Sequence, residues 1–180
     1  MYIQKTELTK KQLIEKYRYI LVEDSFYFDD IIEMKKEELE KIGFTNIDIK
    51  YSGFYCQGDG ASITCDIRLI NAIELLNIPM QYKKYTDEVM FSIKRNDSRY
   101  YHENTLCIDY DLYLNKLSLK AENCIHGYIQ DIEKCLLDYI KSESKKIYNQ
   151  LESEYEFLTS DDAVFDYIIE NKEIFNLEEI

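Results

Sequence analysis

The chain has 180 residues, 46% of them hydrophobic, which suits one domain with a real core. Its formal net charge is −13, with 35 acidic and 22 basic side chains. A chain of that sign is a poor match for the phosphate backbone of nucleic acid and a good one for basic partners.

Other classes are excluded by composition. No run approaches the roughly 20 apolar residues that span a bilayer, and the opening MYIQKTELTK lacks the apolar segment of a secretory signal. An intracellular address is expected, with no membrane partner. The five cysteines, Cys56, Cys65, Cys107, Cys124 and Cys135, are odd in number and none are in CxxC spacing. That argues against a disulfide framework and against a zinc ribbon. One proline and five glycines leave no stretch with the composition of a flexible linker.

In chain order, Leu13, Ile14, Tyr17, Ile20 and Leu21 recur at helical spacing behind Thr9, a good N-cap. This predicts a helix over 9–23. A second follows over 29–42, with Gly43 placed to end it in the left-handed conformation. Alternation in Ile47–Tyr51 then predicts a strand. Asp59-Gly60 predicts a turn with positive φ, and Ala61–Leu69 the returning strand. A short helix at Asn71–Leu76, strands at Glu88–Arg95 and Thr105–Leu112, and a turn at Asn96-Asp97-Ser98 come next. Ile125, Ile129, Ile132, Leu136, Ile140, Ile147 and Leu151 trace a long helical stripe, which Gly127 is expected to interrupt. Thr159 begins a second start signal, with Ser160, Asp161 and Asp162 favourable near a helix N-terminus, for a last helix over 160–171, with Phe175 and Leu177 docking the end.

Helices at 9–42, strands at 46–112 and helices at 122–171 give one α+β domain over 1–180. A small four-stranded antiparallel meander packs against helices, because short connections favour antiparallel pairing.

Charge is unevenly spread. Residues 149–180 hold ten acids and a single lysine, Lys172. Glu152, Glu154, Glu156, Asp161, Asp162 and Asp166 are therefore candidates for docking a basic protein groove. The competing reading is an ordinary solvated helix face. A second candidate set is Asp59, Asp66, His102 and Asp109, oxygen and nitrogen donors of the kind a metal-dependent nuclease uses. Alternating acids on the solvent side of a strand explain the same residues, and His102 beside Glu103 suits either acid–base work or a surface pair. A third is Lys83, Lys84, Lys94, Arg95 and Arg99, interleaved with Tyr82, Tyr85, Tyr100 and Tyr101, which suits phosphate contact and base stacking. The glycine-rich turn is neither a Walker A loop nor a dinucleotide fingerprint. No cofactor and no resident metal are expected.

Several segments together resemble a family of small phage and prophage proteins. They are Tyr51-Ser52-Gly53-Phe54 and Gln57-Gly58-Asp59-Gly60-Ala61-Ser62, then Tyr100-Tyr101-His102-Glu103, Ile147–Glu152 and Glu154–Val164. Cys56, Ile63 and Cys65 depart from the pattern, where Ser, an aromatic and Gly are usual. The resemblance implies a mobile-element origin rather than a reaction, and carries no active-site residues. Inhibitors of type II CRISPR–Cas9 are similar in size and composition. The expectation is thus an anti-CRISPR binding protein, acting in the host cytoplasm on a Cas9-type ribonucleoprotein. A metal-dependent nuclease acting on guide RNA or DNA, and a small nucleic-acid-binding regulator, are the alternatives.

Overall fold

The computed structural model describes residues 9–23, 27–82, 89–96, 99–112 and 118–175. The helices are α1 (Lys10–Tyr17), α2 (Ile20–Glu23), α3 (Tyr27–Lys41), α4 (Leu69–Leu75), α5 (Leu119–Leu158) and α6 (Asp161–Glu170). The strands are β1 (Phe44–Tyr51), β2 (Ala61–Arg68), β3 (Met90–Arg95) and β4 (Leu106–Tyr110), in one antiparallel sheet of order β1-β2-β3-β4. The fold is α+β, with the meander and the long C-terminal helix expected from the pattern. Lys83, Lys84, Tyr85, Asp97, Ser98 and Leu177 lie outside the described residues.

The chain divides into two compact units, residues 1–30 with 150–180, and 31–149. In the first, Thr9 caps α1 by a capping box with Gln12. The helix expected over 9–23 is two pieces, α1 and α2, separated by a turn at Arg18-Tyr19. Leu13 and Ile14 pack on Val164 and Ile168 of α6, flanked by Tyr17, Leu21, Phe165 and Phe175. Arg18 ties the end of α1 to the start of α6, donating to the Thr159 carbonyl at 3.0 Å and to Asp161 at 2.9 Å. Ser160 caps α6 by accepting from the Ala163 amide.

The second unit holds the sheet. Its buried face carries Ile63, Cys65, Ile67, Phe91, Ile93 and Ile108, and the helical stripe Ile125, Ile129, Ile132, Leu136 and Ile140 is buried too. The spacing of that stripe keeps one face of α5 apolar over many turns. Gly127 does not interrupt the helix: nothing lies within 4 Å of where its Cβ would be, so the site is open rather than tight. A lone glycine costs a helix only about 1 kcal/mol, which the packed stripe outweighs. Burial of Cys65 also pushes its thiol up to about 12, with the charge of Asp66 adding to it, so this cysteine is an inert core residue.

Gly43 ends α3 at φ +95°, as its position predicts. A Cβ there would sit 2.3 Å from Asn71 Nδ2, which donates to the Gly43 carbonyl at 3.3 Å. Gly43→Ala is expected to cost about 1–3 kcal/mol from the left-handed backbone alone. A urea midpoint unchanged from wild type would contradict this.

A polar contact also joins sheet to helix. β2 pairs with β3 only over Cys65–Arg68, so the Ile63 amide has no strand partner on that side. It donates instead to Ser144 Oγ of α5, at 3.2 Å, and Ser144 is fully buried. Ser144→Ala strands a buried amide and is expected to cost about 1–3 kcal/mol, whereas Ser144→Thr keeps an acceptor. Equilibrium denaturation of the two variants separates the lost hydrogen bond from the change in volume.

Candidate functional site

The β1–β2 connection is a nine-residue loop closed at its base. The Ser52 amide donates to the Gly60 carbonyl at 3.0 Å. Asp59 turns its carboxylate inward and accepts from the Tyr55 and Cys56 amides at 2.9 and 2.6 Å. Such a carboxylate mimics a backbone turn. The positive φ falls on Gly58 and not on Gly60. Gly60 is needed for another reason: a Cβ there would lie 2.9 Å from the His102 ring and 3.1 Å from its Cα. Tyr100 closes on Gly58 in the same way. Tyr148 of α5 completes the arrangement, donating to the Gly53 carbonyl at 3.3 Å, with its ring 5.9 Å from that of Phe54. The Gly-rich hairpin, the Tyr100–Glu103 segment and Tyr148 therefore form one packed cluster.

That cluster accounts for two members of the nuclease set. Asp59 is engaged in its turn. His102 caps the 3-10 turn Glu103–Thr105, its Nδ1 facing the Asn104 amide at 3.1 Å and the Glu103 carboxylate at 3.0 Å. The other two lie on the solvent face of the sheet. Asp66, Ser92 and Asp109 are register partners across β2, β3 and β4. Asp66 accepts from Ser92 Oγ at 2.6 Å and from Asn46 Nδ2 at 2.7 Å, while Asp109 pairs with Lys94 at 3.3 Å. A strand separates the two carboxylates, which puts their backbones about 10 Å apart. Among the described residues no group of three or more His, Cys, Asp or Glu is placed to hold a metal ion.

The basic residues are also engaged. Arg95 lies over the Tyr101 ring at 4.2 Å, and its Nη1 is buried with no hydrogen-bond partner. Arg99 lies 4.8 Å from the Tyr100 ring centre. One face of each tyrosine is thus taken by a guanidinium rather than open to a base.

The acidic candidates fall in the first unit. Residues 1–30 and 150–180 together carry 16 acids and 6 bases, a net of −10 of the chain's −13. Glu152 and Glu154 are half-buried on α5, and Glu156 is exposed. Asp161 is held by Arg18. Asp161 and Asp162 both lie in the first turn of α6, where the helix dipole favours them. Asp162, Asp166 and Glu170 are exposed at i, i+4 and i+8, on one face of α6, and form no ion pair among the described residues. Glu170 was not among the sequence candidates, although the four-residue spacing from Asp162 and Asp166 contains it. On the neighbouring turn of α5, Phe157 is 63% exposed beside Glu156.

Among the described residues, no helix is long and apolar enough to cross a membrane. No curated protein and no solved structure matches the chain. One family model does, over residues 27–161, a span that takes in all four strands and the whole of α5. Covering three quarters of the sequence, this match makes the chain a member of the family described as a domain of unknown function, DUF8835.

Proposed function

We propose that this protein is a binding protein that docks on a basic groove of a host-defence effector, through the acidic face of α6. The observation that carries the reading is the stripe Asp162, Asp166 and Glu170, three exposed carboxylates in a row without a basic neighbour in ion-pair contact among the described residues. Like charges at i, i+4 destabilise a helix by a few tenths of a kcal/mol each. A row of them is worth its cost where an opposite charge waits on a partner. Phe157 supplies an exposed aromatic of the kind that anchors interfaces.

The finer reading is an anti-CRISPR, and its support is the resemblance to small phage proteins together with the charge. Cas9-type effectors carry positively charged channels for guide and target, which such a stripe complements. The α6 stripe lies past the end of the DUF8835 match. A pull-down with a Cas9-type effector loaded with guide RNA, at low and high salt, tests the reading. Retention at low salt that fades at high salt is the expected result; absence of a complex at both overturns it.

A further inference from the structure

The two edges of the sheet are not alike. β1 carries an irregularity between Thr45 and Asp48, where Asn46 takes φ +53°, and Lys50 stands exposed on it. Bulges and lysines are how proteins blunt an edge against further pairing. β4 has neither: it runs in unbroken register with β3 from Leu106 to Tyr110, and among the described residues no strand lies on its other side. The Asn96 amide donates to the Thr105 carbonyl at 2.8 Å, which makes that pair a hydrogen-bonded one. By alternation Cys107 and Asp109 bond to β3, and the amides and carbonyls of Ile108 and Tyr110 point outward.

A groove of about 640 Å³ lies along this edge, its lining including Ser92, Lys94, Ile108, Asp109, Asp111 and Glu133. Three of those six are carboxylates, and the one cation, Lys94, is already paired with Asp109. Burial raises the Glu133 pKa, and the nearby Asp109 charge adds to the rise; a cation in the groove relieves the second of these.

We propose that the free edge of β4 takes up an extended, basic peptide segment of a partner protein as a fifth strand, its Lys or Arg side chains seated in the groove. Main-chain bonds to Ile108 and Tyr110 supply affinity, and the carboxylates supply selectivity. A second copy of this chain is a poor occupant. Antiparallel self-pairing centred on Asp109 or Tyr110 sets Asp109 opposite Asp109 or Asp111, and like charges directly opposed destabilise a pair. Only the register centred on Ile108, which sets Asp109 opposite Cys107, escapes this, and the dependence of exchange on protein concentration reports on it.

The test uses three nine-residue peptides: alternating Lys and Val, alternating Glu and Val, and the Lys–Val peptide with a central proline. Amide hydrogen exchange of the full chain is followed by NMR. The Lys–Val peptide is expected to slow exchange at Ile108 and Tyr110 at least tenfold, and the other two to leave it unchanged. Asp109→Asn with Asp111→Asn, both exposed, is expected to weaken binding about tenfold without loss of fold. Asp162→Asn with Asp166→Asn is expected to leave peptide binding unchanged, which keeps this edge distinct from the α6 face. Equal binding of the acidic or proline peptide, or no slowing at Ile108 and Tyr110, overturns the proposal. So does loss of binding in the α6 variant, or slowing that grows with protein concentration in the absence of peptide.

Discussion

Glu143→Ala is expected to lower stability by about 3 kcal/mol, the low end of what breaking a buried ion pair costs. Glu143 is 5% exposed, on α5. It accepts from Lys35 of α3 and, at 2.6 Å, from Lys146. Lys146 is exposed and returns to water when the carboxylate is removed. Lys35 is not: its side chain is 16% exposed, and it keeps only Glu38, at 3.1 Å. A mostly buried ammonium that has lost one of two partners is the source of the cost. For a chain of this length the loss corresponds to a fall in melting temperature of about 6–12 °C. The double change Lys35→Met with Glu143→Leu removes both charges and is expected to recover most of the loss. Failure of the double variant to recover would mean that the cost lies in packing and not in charge.

The pH dependence follows from the same group. Burial raises the Glu143 pKa, but hydrogen bonds from Lys146 and Lys35 outweigh it, and the net shift is downward from the usual 4.5. A depressed carboxylate contributes stability that is present above pH 4.5 and is lost as pH falls through its lower folded value. Lys35 is the mirror case. Burial opposes its charge, the bonds to Glu143 and Glu38 win, and its pKa rises above 10.5. Its contribution is present below pH 10.5 and is lost as pH climbs through the higher folded value. Denaturation of wild type and Glu143→Gln should therefore differ most on the plateau between these limits. The difference should narrow on the acid side, with the denaturant slope unchanged.

Asp162→Asn, Asp166→Asn and Glu170→Gln together are expected to weaken partner binding on the order of 10- to 100-fold, at about 0.5–1 kcal/mol per exposed charge. The change should fall chiefly on the association rate, because rim charges steer encounter. Raising ionic strength shortens the screening length from about 10 Å at 0.1 M to about 3 Å at 1 M. The wild-type rate should fall with salt, and that of the triple variant should hardly change. Phe157→Ala should act differently, speeding dissociation about tenfold with little salt dependence. All four side chains are exposed and only Asp162 adds a small helix-dipole contribution, so circular dichroism of both variants should match wild type. A triple variant that associates as fast as wild type at low salt would remove α6 from the interface.

How far the sequence went depends on the range of the interaction involved. Periodicity and start signals located α3 and its stop at Gly43, the alternation of the four strands, the apolar stripe of α5, the cap at Thr9 and the start of α6, whose cap is Ser160, one residue past the Thr159 where the signal begins. Each of these rests on neighbours a few residues apart, and local propensity carries them. The antiparallel pairing of β1 with β2 and of β3 with β4 followed from connections too short for a crossover, whereas the β2–β3 connection, which contains α4, is long enough for one, and the fold decided its sense. The break of the first helix at Arg18-Tyr19 did not follow from the apolar spacing, since Arg18 is turned toward Thr159 and Asp161, more than 140 residues away.

Tertiary structure alone decided which polar groups are in use. Lys35 and Glu143 lie 108 positions apart, and Ile63 and Ser144 lie 81 apart. Nothing periodic links them, because a buried ion pair or a borrowed hydroxyl is a match between two surfaces. The same holds for Gly60, whose spacing suggests a positive φ but whose lack of a side chain serves the close passage of His102. Asp66 and Asp109 read as potential partners in sequence, and register set a strand between them. The acidic excess of the last third was plain from composition. Only folding sorted it into half-buried Glu152 and Glu154, Asp161 held by Arg18, and the exposed row Asp162, Asp166 and Glu170, because helical pitch and the reach of one arginine decide which charges remain for a partner.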